Sequence, residues 1–172
     1  MGYLKIIIPI IIIGIIAGAI AVNSEQEIVE EETEIQWRSS GPFSIEKYEY
    51  YLGEKIFITV REIPKDVRGE ILILKPTSTP NLEKFEGLEN IPKEMISTKT
   101  KYLEIEFDGS KKNNFNRYFE PKLIEWKNIC SGDDLKGEWV LIFSGTEYEP
   151  IIFEVINEIA PWYEKEQFEP IC

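Results

Sequence analysis

From residue 43 onward, apolar and polar positions alternate in short runs. Ile56, Ile58 and Val60 alternate with Phe57, Thr59 and Arg61. Before them, Phe43, Ile45, Tyr48 and Tyr50 suggest a first strand. Residues 69–75 form a third run, ended by Pro76, and residues 101–107 a fourth, with Leu103, Ile105 and Phe107 on one phase and Tyr102 on the other. Residues 113–119, 139–143 and 151–155 complete the set. Such short runs, rich in Ile, Val, Phe and Tyr, predict strands. The breakers between them, Leu52-Gly53-Glu54, Asp108-Gly109-Ser110, Ser131-Gly132-Asp133 and Ser144-Gly145-Thr146, predict tight turns. About seven strands without intervening helices predict an all-β fold, an antiparallel β-sandwich of two sheets.

The chain before this region has a different pattern. Residues 6–22 carry no charge and are mostly isoleucine. That length suits a single helix across a hydrocarbon core of roughly 30 Å, in which a helix satisfies its own backbone. Residues 1–22 are therefore expected to be one N-terminal transmembrane helix, a signal anchor. Lys5 and the α-amino group precede it, and Glu25, Glu27, Glu30, Glu31, Glu32 and Glu34 follow it. This asymmetry predicts a single-pass protein of the cell membrane, with the N-terminus cytoplasmic and the domain extracellular. A competing reading is a signal peptide cleaved after Ala19-Ile20-Ala21. Both readings export the domain. Residues 23–41 read as an acidic stalk held extended by charge repulsion.

The sandwich is expected over residues 42–158, with one long loop at 76–100. In that loop Leu82, Phe85, Leu88, Ile91 and Met95 recur every three or four positions, and a short helix is expected after Asn81. A connection of this length is often functional, so these five residues form a candidate binding loop. The reading favoured over it is that they cap an open end of the sandwich. Residues 159–172 are an aromatic tail whose Trp162, Tyr163 and Phe168 are expected to dock on the domain.

Charge and composition narrow the chemistry. The net charge is -12, with 31 acidic and 19 basic residues, which disfavours nucleic acid and anionic lipid as partners. No histidine is present, so the commonest general base and the commonest transition-metal ligand are missing. No Gly-x-Ser-x-Gly elbow occurs. No catalytic residue and no cofactor are expected. Asp133 and Asp134 after Gly132, and Asp108 before Gly109, are calcium candidates because hard oxygen ligands on loops suit that ion. Turn formation is the reading preferred for all three. Cys130 and Cys172 are the only cysteines and lie in the exported part, so a disulfide between them is expected. The topology supports it: the strand after Cys130 and its antiparallel successor return the tail to the pole where Cys130 sits.

Residues 44–60, SIEKYEYYLGEKIFITV, resemble the opening of prokaryotic surface Ig-like modules, with Glu46-Lys47, Tyr51, Gly53-Glu54 and the Ile56/Ile58/Val60 alternation in place. Leu135, Gly137, Trp139, Leu141 and Phe143 are similar to the penultimate strand of such modules, with Trp139 where tyrosine is usual. The whole chain resembles small archaeal single-pass membrane proteins with one such ectodomain. The resemblance implies an Ig-like sandwich without the cysteine–tryptophan–cysteine spacing of antibody domains. It transfers no functional residue. The expected function is a membrane-anchored, non-catalytic binding or structural accessory whose partner is a cell-envelope protein or a membrane complex. The competing classes are an exported enzyme using carboxylates and a secreted binding module. Trp139 is expected in the core.

Overall fold

Ile56, Ile58 and Val60 are buried, while Phe57 is exposed and Thr59 only partly covered, so the alternation read from the sequence is the pleat of a strand with one wet face. The computed structural model describes residues 37–78, 88 and 91–172. The expected membrane helix, most of the acidic segment, and Leu82 and Phe85 lie outside them. Among the described residues no helix is long and apolar enough to cross a membrane.

The described chain is mostly β. Its strands are β1 (Arg38–Ser40), β2 (Phe43–Ile45), β3 (Glu49–Leu52), β4 (Ile56–Val60), β5 (Arg68–Pro76), β6 (Lys99–Asp108), β7 (Phe115–Phe119), β8 (Gly137–Ser144) and β9 (Ile151–Ile159), with one short helix α1 (Lys93–Ile96). They build a four-stranded sheet, order β1-β2-β4-β7, and a five-stranded sheet, order β3-β9-β8-β5-β6. Phe43 of the first sheet stacks on Phe143 of the second, with ring centroids 4.1 Å apart. Around that contact Ile45, Ile58, Ile71, Leu141 and Phe153 form the shared core.

Four expectations need correction. The single strand expected over Phe43, Ile45, Tyr48 and Tyr50 is two, β2 and β3, in different sheets. The inward positions shift from Phe43 and Ile45 to Tyr50 and Leu52, so the apolar phase slips where the chain crosses. The sheets are not wholly antiparallel, because β3 runs parallel to β9. Arg38–Ser40, expected in the stalk, instead pairs with β2; that strand carries no apolar residue and is held by backbone pairing, with the Arg38 guanidinium 4.9 Å from the Tyr48 ring centroid. Tyr102 is not on the outer phase. Ile73 faces Leu103 and Leu74 faces Lys101, which leaves Tyr102 as the extra residue of a β-bulge and turns it inward.

The runs Ile71-Leu72-Ile73-Leu74 and Trp139-Val140-Leu141-Ile142-Phe143 are apolar throughout because both faces of β5 and β8 are covered. Inward residues meet the first sheet. Outward, Leu72, Leu74, Val140 and Ile142 meet Leu88, with Ile91, Met95 and Ile96 packed alongside. Leu88, Ile91, Met95 and Ile96 thus cover the outer face of the second sheet rather than an end of the sandwich.

Candidate binding cleft

On the side of the sandwich where β6 ends one sheet and β7 ends the other, the two strands are not paired among the described residues, and a cleft opens. Its volume is about 550 Å³. Phe107 and Phe115 supply its apolar surface, and Arg68, Lys111, Lys112 and Arg117 bring four cations to it. Gly69 lies at its back, where an added Cβ would stand 1.9 Å from the Ser144 carbonyl oxygen, so only glycine permits this approach of β5 to β8.

Arg117 has an unusual position. On β7 it faces Ile58 of β4, between Phe115 facing Val60 and Phe119 facing Ile56. It therefore shares the inward phase with two phenylalanines, yet remains exposed because β7 is the last strand of its sheet. Its guanidinium lies 5.6 Å from the Phe115 ring centroid. Among the described residues Arg68, Lys112 and Arg117 make no ion pair. Asp108 is the cross-strand neighbour of Arg68 but is engaged elsewhere, by Ser110 and, at 3.5 Å, by Lys111. Those hydrogen bonds from Ser110, with Lys111 beside it, hold the Asp108 carboxyl below its ordinary value. Glu70 and Glu106 face each other across β5 and β6 at the rim. Cations in this setting can bind carboxylate or phosphate oxygens, the guanidinium in bidentate fashion.

The opposite pole is built around the disulfide. Cys130 and Cys172 are bonded, with Cα atoms 5.3 Å apart. Phe168 is buried in the core and Tyr163 packs against it, whereas Trp162 is 66% exposed, so two of the three tail aromatics dock. Lys75 is buried here and donates to the carbonyl oxygens of Pro76 (3.0 Å) and Asp134 (2.9 Å). Burial draws its ammonium below the usual lysine value, and the Asp134 charge pushes back. Burial also pushes the Tyr102 hydroxyl up to about 12, so it stays protonated and donates to the Glu120 carbonyl oxygen at 2.5 Å.

The chain matches no known protein family, no curated protein and no solved structure.

The calcium candidates fall at opposite ends of the second sheet, Asp108 at the end of β6 and Asp133 and Asp134 before β8. Asp133 pairs with Lys136 at 2.6 Å. Asp134 accepts from the backbone N–H groups of Cys130 (2.8 Å) and Ser131 (2.9 Å) in a capping box. Among the described residues no group of three or more His, Cys, Asp or Glu could hold a metal. Partial burial works against the Asp134 charge, but these hydrogen bonds outweigh it and keep the carboxyl below its ordinary value. Its stabilisation is complete above the unfolded carboxyl pKa of about 4 and fades as pH falls through the lower folded value. Asp134→Ala is expected to cost about 1–2 kcal/mol at neutral pH, as for loss of a cap, and less in acid. Denaturant titrations at pH 7 and near pH 3 check this; an equal cost at both would refute the charged cap.

Of the candidate binding loop, Leu88 is buried, and Ile91 and Met95 pack against the outer face of the second sheet. The cationic cleft was not anticipated. Its one local signal is Arg117 between Phe115 and Phe119, a charge on an apolar phase.

Proposed function

We propose that the protein is an Ig-like binding or structural accessory domain that acts outside the cell, is held at the membrane by residues 1–22, and works without catalysis. The Cys130–Cys172 disulfide carries this reading, because such bonds form and persist in oxidising compartments. The charge asymmetry around residues 6–22 supports the same sidedness. Strand order supports the Ig-like arrangement: β4 and β7 stand as B and E, opposite β5, β8 and β9 as C, F and G. The opening strand is divided between the sheets as β2 and β3. The partner expected is a cell-envelope protein or a neighbouring membrane complex.

Protease added to intact cells should digest the domain, and the intact mass of membrane-extracted protein should include residues 1–22. Protection until lysis would overturn the orientation. A chain beginning at Val22, found in the medium, would favour a secreted binder instead.

A further inference from the structure

We infer that the cleft between β6 and β7 receives an acidic, extended segment of a partner protein, added as a strand to β7 and read by Arg117, Arg68 and Lys112. This deepens the binding-domain reading and rests on it. Two features of the cleft carry the inference together.

The first is the pair of strand edges. Among the described residues β7 pairs only with β4, and β6 only with β5, so each presents an edge without a partner strand on the side of the cleft. Such edges offer backbone donors and acceptors that an extended peptide can complete.

The second is the charge. In a chain with 31 acidic and 19 basic residues this cleft carries an excess of cations: Arg68, Lys111, Lys112 and Arg117 line it with the carboxylates Glu70, Glu106 and Asp108, and Arg68, Lys112 and Arg117 make no ion pair among the described residues. Arg117 sets the selectivity. Side chains of a strand added to β7 alternate in and out, and those on the inward phase meet Arg117. An apolar strand would desolvate the guanidinium with nothing to pair it, which is costly. A strand with Glu or Asp at the neighbouring position neutralises it and gains a bidentate hydrogen bond. The same residue that rejects indiscriminate edge pairing therefore admits an acidic strand.

The test uses full-length protein in detergent and a fluorescent synthetic peptide alternating threonine and glutamate, with the glutamine version as control. Saturable binding that weakens with salt is expected for the glutamate peptide. Roughly tenfold weaker binding is expected for the glutamine peptide and for Arg117→Gln, as for loss of a charge-assisted bidentate contact. Arg117 is exposed, so the variant should keep its melting temperature. If it does not, the double variant Arg68→Gln/Lys112→Gln, both exposed, serves in its place. Equal binding of the two peptides, or no change in either variant, would overturn the inference. Displacement of the peptide by polygalacturonate at lower concentration would overturn its assignment to protein. If Arg117→Gln self-associates while its peptide binding is unchanged, Arg117 is only an edge guard. None of these failures alters the protease result, which tests the location of the domain separately.

Discussion

Trp139→Ala should lower the unfolding free energy by about 3–5 kcal/mol, a large part of the stability of a domain this size. Trp139 is fully buried on β8. Its ring centroid lies 5.0 Å from that of Tyr102, 5.9 Å from Phe119 and 6.0 Å from Phe153, so residues of both sheets close around it. Its Nε1 donates to the Leu135 carbonyl oxygen at 2.6 Å. The alanine variant loses apolar burial, leaves a cavity that the neighbouring rings cannot fill without moving, and strands a buried acceptor. Trp139→Phe keeps much of the packing and loses the hydrogen bond, and should cost about 1–3 kcal/mol. Denaturant titration measures both. A change below about 0.5 kcal/mol for the alanine variant would be the behaviour of a surface site and would refute the placement.

Replacing Cys130 and Cys172 with serine should cost about 4 kcal/mol by the chain-entropy relation for the 42-residue separation. The effect acts on the unfolded chain, which regains the freedom that the bond removes. The tail keeps other contacts: Ile171 N–H donates to the Cys130 carbonyl oxygen at 2.9 Å, and Phe168 stays in the core. The double variant should therefore fold, with an earlier denaturant midpoint. A loss under about 1 kcal/mol would mean that these contacts hold the tail closed even in the unfolded ensemble.

How far the sequence disclosed the fold depended on whether the forces involved leave a local trace. β4 was legible because its side chains face core and water in turn. β5 and β8 were legible as strands, but nothing local showed that a second core covers their outer face. That layer depends on where Leu88, Ile91 and Met95 return to the sheet. The crossing between β2 and β3 did leave a trace, a one-residue slip in apolar phase between Ile45 and Tyr50. β1 left none, because Arg38, Ser39 and Ser40 are held by backbone bonds that any residue can make. The bulge at Tyr102 was hidden for a similar reason: bulges shift phase without requiring a particular residue. The disulfide followed from the cysteine count and strand order. The cleft did not, since Arg68, Lys111 and Lys112 look like ordinary surface charges until β5, β6 and β7 bring them together.

The disulfide also sets the path of mechanical load. When the chain is pulled at residues 37 and 172, tension passes from Cys172 directly to Cys130 through the sulfur bridge. The backbone between the two cysteines, which includes β8 and β9, lies outside the loaded path. With the 42-residue separation bypassed, the stretched protein is shorter by about 140 Å than its reduced form, at roughly 3.3–3.6 Å per residue. β8 and β9, neighbours in the larger sheet, are therefore shielded from a tug that reaches the domain through its tail, while β3, β5 and β6 of the same sheet stay on the loaded path.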